Sequence, residues 1–233
     1  MSARINALAQ AAAGLVPANG RVVEVGYDQG AILLCALAAR PDIRAIGIEI
    51  LPALAALQFP PELELRVSLR LGDGFDPLVA GEADVAILAG MGGRTIAEIL
   101  TRDPAKTRSL SALVLCASHR EADIRPALAS LGYGLAREQL VLDRDRFYEL
   151  IVARPLALCP TNHFDRDPVT AAWGPRLFSP EDPLLGAFFD DTQRRFHAAF
   201  AEGLRSYPGS AKAALGEKLA CLEAARAQLR KSS

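Results

Sequence analysis

The sequence predicts a doubly wound α/β fold: a mostly parallel, seven-stranded sheet with a C-terminal antiparallel hairpin, followed by a C-terminal helical hairpin. Three observations carry this. Five short, nearly continuous apolar runs alternate with amphipathic segments, the pattern of strands covered on both faces and joined by helical crossovers. Two further apolar runs lie too close together for a crossover. Residues 184–233 then place apolar side chains at three- and four-residue steps.

The strand candidates are residues 21–25, 45–50, 65–69, 84–89, 112–116, 135–141 and 147–154. Residues 31–39, 94–100 and 121–131 read as helices between them. Only residues 142–146 separate the last two strands, so these pair antiparallel. This divides the chain into a ligand-binding domain (1–154), a proline-rich linker (155–183) and a helical hairpin (184–233). In the hairpin, Leu185, Phe188, Phe189 and Phe196 line one helix, and Leu215, Leu219, Leu222 and Leu229 the other, with Arg226 at the remaining seam position. Tyr207-Pro208-Gly209-Ser210 turns between them. Such a tail stabilises the fold or provides a homodimer contact.

Bulk composition narrows the function classes. At 233 residues, 51% hydrophobic and 23% charged, the chain has the composition of a folded protein. No apolar run is long enough to span a bilayer, and the first helix, carrying Arg4 and Gln10, lacks a signal-peptide cleavage pattern; a cytoplasmic protein without membrane contact is expected. Cys35, Cys116, Cys159 and Cys221 are scattered, which suggests neither a zinc site nor a disulfide framework. Formal net charge is −1, so a nucleic-acid surface would have to come from local clustering, densest at Arg94, Arg102, Lys106, Arg108, Arg120 and Arg125.

Chemistry concentrates where strands end, the crevice in which α/β sheets bind ligands. Ala89-Gly90-Met91-Gly92-Gly93 closes the apolar run 84–88, and its small residues let a flat ligand reach the main chain. Glu24-Val25-Gly26-Tyr27-Asp28-Gln29-Gly30 joins the first strand to the first crossover helix. A dinucleotide fingerprint would place a second glycine where Asp28 stands, and a carboxylate there repels a pyrophosphate. The same aspartate suits a ligand bearing an amino group and a sulfonium, so S-adenosyl-L-methionine fits better. Glu24, Gly26 and Gly30 then face that ligand; the lesser alternative for Glu24 is to cap a turn. Glu49, about twenty residues on, is placed for ribose hydroxyls. Asp73, in Gly72-Asp73-Gly74, is placed for an adenine amino group.

Leu71-Gly72-Asp73-Gly74-Phe75, Ala89-Gly90-Met91-Gly92-Gly93, Glu138-Gln139-Leu140-Val141, Phe147-Tyr148-Glu149-Leu150-Ile151 and Gly174-Pro175-Arg176-Leu177 together resemble the bacterial tRNA (adenine(22)-N1)-methyltransferase family. The resemblance implies a Rossmann-type methyltransferase sheet, S-adenosyl-L-methionine as donor, and methylation of N1 of an adenosine in tRNA. The chain departs from that family at two places. The family's first loop reads Asp-Ile-Gly-Ser-Asp-His-Ala; here Asp28 is kept and Gln29 replaces the histidine. After the fifth strand, Cys116-Ala117-Ser118 stands where the family has Gln-Pro-Asn.

On this reading Asp28 orients the exocyclic amine of the target base or binds only the donor. Met91 and the backbone of Gly90, Gly92 and Gly93 form the floor under the base. Ala89 and Gly74 complete the donor side, and Arg94 and Ser118 the substrate side. Tyr27 either stacks on the base or packs in the loop. His119, His163 and His197 lack ligand spacing and belong at the surface; no metal is expected. Methylation of another RNA or a small molecule, and donor binding without catalysis, stay open as alternatives.

Overall fold

The computed structural model describes residues 2–55, 59–159, 182–203 and the helical residues 220, 221, 223, 224, 226 and 227. The chain opens with helix α1 (Ala3–Leu15) and continues through β1 (Arg21–Val25), α2 (Ala31–Ala39), β2 (Arg44–Glu49), α3 (Pro52–Ala55), β3 (Val67–Leu71) and β4 (Val85–Ala89). Next come α4 (Gly93–Arg102), α5 (Pro104–Arg108), β5 (Ala112–Cys116), α6 (Ile124–Ser130), β6 (Tyr133–Asp143) and β7 (Arg146–Pro155). One sheet results, in the order β3-β2-β1-β4-β5-β7-β6. Its first five strands are parallel, and β7 is antiparallel to both β5 and β6.

Strand alternation sorts the apolar residues into two layers. Val23, Ile46, Ile48, Leu88, Leu113 and Leu115 share a buried cluster with Ile96 and Leu100 of α4 and Leu128 of α6. Val22, Ala45, Val85, Ile87 and Val114 share another with Leu8 and Ala12 of α1 and Leu33 and Leu37 of α2. Each fully buried leucine or isoleucine contributes roughly 1.5–3 kcal/mol by leaving water, so both faces hold the sheet rigid beneath the loops it presents. Ser2 starts α1: its hydroxyl accepts from the Ile5 N–H at 3.3 Å and donates to Asp143 at 2.7 Å, pinning the helix to the β6–β7 tip.

The doubly wound sheet and its hairpin match the expected fold class, with β1, α2 and β5 at the expected bounds. β3 starts two residues later than the apolar pattern suggests, because Leu65 is 94% exposed and lies outside the sheet. The hairpin turn shortens to Arg144-Asp145, both at positive φ (49° and 62°), and the strands extend to meet it.

A second compact unit begins at Asp165 and is described by itself. Its helix α7 (Leu185–Gly203) buries Leu185, Phe188 and Phe189. Arg226 pairs with Asp190 at 2.5 Å and hydrogen-bonds Gln193. The expected turn at 207–210, Leu215, Leu219, Leu222, Leu229, His163, the side chain of Phe196 and most of the linker, including 174–177, lie outside the described residues. Among the described residues, no helix is long and apolar enough to cross a membrane.

Candidate active site

The C-terminal ends of β1, β2, β4 and β5 form a rim of loops, and main-chain hydrogen bonds set its shape. After β1, the Gly26 N–H donates to the Ile48 carbonyl at 2.8 Å, and Gly26, Asp28 and Gly30 all adopt positive φ. The loop therefore turns sharply and leaves Asp28 exposed at its tip. Glu24, beneath it, is 3% exposed, and its carboxylate is hydrogen-bonded by the Leu33 backbone. Burial pushes its pKa well above the ordinary glutamate value; the Leu33 bond pulls it back, and the negative charge of Asp28 adds to the rise. Its Oε2 has no partner among the described residues. An orphaned, buried carboxylate oxygen is costly unless a cation or donor arrives to satisfy it.

Glu49, 6% exposed, joins two turns. Its Oε1 accepts the N–H groups of Ile50 and Leu51 at 2.9 and 3.1 Å, and its Oε2 lies 3.4 Å from the Asp28 nitrogen. Asp73, half-exposed, pairs with Arg102 at 2.7 Å, with Asp76 3.6 Å from the same guanidinium. Arg102 thus balances one of the three acids at these strand ends, while Glu24 and Glu49 face only backbone.

The loops after β4 and β5 are zipped together by three backbone bonds. Gly90 N–H donates to Cys116 O (3.2 Å), Ser118 N–H to Met91 O (2.9 Å), and Gly93 N–H to His119 O (2.8 Å). This register requires glycine at 93, because a Cβ there would overlap the Arg120 carbonyl. Gly90 differs: it sits at φ +79°, and a Cβ placed on it would meet nothing within 4 Å. Open space over bare main chain is the cradle a planar ligand needs. Met91 reaches across to the first loop, with its methyl group 3.2 Å from where a Gly26 Cβ would lie.

Several anticipated site residues have other neighbours. Tyr27, 2% exposed, packs against Gly47 and donates its hydroxyl to the Leu54 carbonyl at 3.0 Å, so its ring lies in the core and not over a base. Gly30 is covered by the Phe59 ring, Gly74 by Ile99 and Gly92 by His119. Ala89 ends β4 half-buried, next to Gly90. Arg94 is exposed and paired with Glu98 at 2.9 Å. Ser118 keeps a place at the rim, its hydroxyl 3.0 Å from His119 Nδ1. His119 is exposed, as its lack of ligand spacing suggests, yet it stands on the rim against Gly92.

Sequence reasoning missed Arg146. Its Nη2 donates to the Ser118 carbonyl at 2.5 Å, and its guanidinium lies 5.2 Å from the Tyr148 ring centroid, with Arg4 at 4.7 Å. The partners are 28 residues apart, and only the hairpin register brings them together.

The rim accordingly offers a desolvated carboxylate for an amino cation, a second carboxylate fixed between two turns, and open main chain at Gly90. Those features fit a cationic amino-nucleoside better than a polyphosphate. Among the described residues, no group of three or more His, Cys, Asp or Glu side chains is arranged to hold a metal ion.

Comparison with known proteins agrees with this chemistry. Residues 1–151 match the family described as "Methyltransferase domain". The tRNA (adenine(22)-N(1))-methyltransferase of Bacillus subtilis (strain 168) is 30% identical over 148 residues, 62% of this chain, and the chain spans 62% of the length of that curated relative. A Streptococcus agalactiae protein of the NADB-Rossmann superfamily superposes with a TM-score of 0.77 at 25% identity, over 94% of this chain and 95% of its own. M. capricolum TrmK, solved with S-adenosyl-homocysteine, shares the fold at a TM-score of 0.74 and 14% identity, over 99% and 98% of the two chains.

Proposed function

This chain belongs to the methyltransferase-domain family, and on that premise we propose that it methylates N1 of an adenosine in tRNA in the cytoplasm, with S-adenosyl-L-methionine as donor. The observation that carries the donor assignment is the unpartnered, buried Oε2 of Glu24 beneath a glycine-bearing turn. The target assignment is supported by the 30% identity over 148 residues to the Bacillus subtilis enzyme.

Within this reading Glu24 receives the donor's amino group, which returns its carboxylate to the charged form that burial disfavours. Glu49, already fixed by three backbone N–H groups, accepts from the ribose hydroxyls with the lone pairs left over. Asp73 meets the adenine amino group, and the main chain at Gly90 lies against the flat part of the ligand. When bound, S-adenosyl-L-methionine supplies a methyl carbon that the N1 lone pair takes while the carbon–sulfur pair returns to sulfur.

The acceptor base has to leave its stack to reach the rim, and catalysis is then mostly a matter of alignment. Met91, anchored through its carbonyl to Ser118, forms the floor. Asp28, exposed at the tip of the first loop, accepts a hydrogen bond from the exocyclic amine and stabilises the positive charge that develops as N1 gains its methyl group.

The test is incubation of the purified protein with labelled donor and unmodified tRNA, followed by mapping of the product by primer extension, which stops at an N1-methylated adenosine. Methylated adenosine at one tRNA position is expected, with loss of product but retained donor binding in Asp28→Ala. Donor binding without transfer to any RNA, or transfer to small acceptors alone, would sink the proposal.

A further inference from the structure

At the opposite end of the sheet from the rim, three neighbouring parallel strands begin at or just after an arginine. Arg21 opens β1, Arg44 opens β2, and Arg66 immediately precedes β3. Arg21 and Arg44 are register partners, so their side chains leave adjacent strands about 4.8 Å apart. The Arg66 carbonyl accepts the Ala45 N–H at 2.8 Å, which continues the row. Like charges side by side on neighbouring strands cost stability, and this sheet carries three in succession.

These arginines surround a cavity of about 230 Å³ that is also lined by Arg70, Ser68 and Glu82. Four guanidinium groups against one carboxylate leave three positive charges unmatched. Two of the four are held rigid. Arg66 spends its Nε and Nη2 on the carbonyls of Leu37, Arg40 and Ile43, with contacts of 2.8–3.1 Å. Arg70 forks onto Glu82 at 2.5 and 2.7 Å. The other two are available: Arg21 makes one long contact, 3.5 Å, to the Glu82 carbonyl, and Arg44 has no side-chain acceptor among the described residues and is exposed.

The geometry points to a second binding site here, one that takes a phosphate or pyrophosphate group between Arg21 and Arg44 with Arg66 behind them. Paired guanidinium groups present planar N–H forks that match phosphate oxygens, and a dianion would remove the repulsion along the row. Ser68 adds a neutral donor at the wall of the cavity. The strands carry opposite charge at their two ends, from Arg21 to Glu24, Arg44 to Glu49 and Arg66 to Asp73, so an anion excluded from the rim is favoured here. The site is remote from the methyl-transfer chemistry and does not depend on the function proposed above.

Calorimetric titration of the full-length protein with pyrophosphate, at constant chloride, tests it. Saturable binding is expected, weakened about tenfold or more in Arg44→Gln and in the double variant Arg21→Gln/Arg44→Gln, as befits loss of charge-assisted hydrogen bonds. Pyrophosphate should raise the melting temperature of the natural protein and leave that of the double variant unchanged. Without ligand, the double variant should melt no lower than the natural protein, because it loses a like-charge contact; this separates lost binding from lost folding. A parallel titration with tRNA identifies the source of the phosphate. Weaker tRNA binding by the double variant assigns the site to the RNA backbone, and unchanged tRNA binding assigns it to a free phosphate ester. Absence of saturable pyrophosphate binding, or equal binding by the double variant, would overturn the inference.

Discussion

Arg146 donates to the Ser118 carbonyl at 2.5 Å, and the Ser118 N–H donates in turn to Met91 O at 2.9 Å. The β6–β7 tip therefore holds the loop after β5, which holds the loop after β4. Removing the guanidinium in Arg146→Ala should lower kcat for methyl transfer about tenfold, the usual cost of one charge-assisted hydrogen bond, while donor affinity stays within about twofold. Arg146→Lys should recover part of the loss. Equal losses of donor affinity and kcat would instead mark Arg146 as a general stabiliser of the fold.

Glu24 offers a sharper test of the donor pocket. Glu24→Gln keeps the shape of the side chain and its bond with Leu33 but cannot become an anion. Donor affinity, measured by calorimetry, should fall about tenfold or more, because the charged half of the contact with the amino group is gone. The unliganded variant should melt no lower than the natural protein, since a desolvated carboxylate has been replaced by a neutral amide.

The two glycines of the β4 loop should respond differently. In Gly93→Ala the new Cβ overlaps the Arg120 carbonyl, so the zipped loops must separate, and melting temperature should drop sharply. In Gly90→Ala the space is open and the cost is the left-handed backbone alone, about 1–2 kcal/mol. Its larger effect should fall on donor affinity, because the methyl group occupies the cradle. Circular dichroism melts and donor titration of both variants separate the two behaviours.

A buried charge cluster predicts how stability varies with pH. Arg125 pairs with Glu138 at 2.9 Å and Glu149 at 3.0 Å, all with side chains no more than 7% exposed. Burial raises the Glu149 pKa to about 8, against the attraction of Arg125, with the negative charges of Glu121 and Glu138 adding to the rise. The folded chain thus retains a proton that the unfolded chain releases near 4.5. Its stabilising contribution is complete below that pH and is lost as pH rises towards 8. Glu149→Gln should flatten the decline in melting temperature between pH 5 and 8, on the order of the interval between those two values. Arg125→Met, which takes the guanidinium away from the buried Glu138 and leaves Glu149 protonated, should destabilise by about 3–5 kcal/mol at neutral pH.

The fold was legible because two-sided burial writes itself as uninterrupted apolar runs: β1 and β5 stand at the expected residues. Leu65 broke the rule, since an apolar side chain next to a strand is indistinguishable in one dimension from one inside it. Arg144 hid the tight turn, because arginine is not a residue that turn chemistry prefers at positive φ. At the site, the positions of the acids at successive strand ends were readable from spacing, as was the place of the glycine pair 92–93 just after β4. Their reasons were not. Gly30 and Gly93 are required by Phe59 and Arg120, which approach from distant parts of the chain, and the pattern cannot distinguish a glycine that admits a ligand from one that admits a neighbour. Tyr27 stayed open between stacking and packing for the same cause: a loop position next to exposed Asp28 carries no mark that its ring folds back onto Gly47.

The three-rung zipper between the loops after β4 and β5 also dictates how that end of the molecule breathes. Gly90, Gly93 and Ser118 all commit their amide protons to the opposite loop, so none can swap with deuterium until the whole seam parts. These amides should exchange at one shared rate, and a ligand seated on either loop should slow all three together.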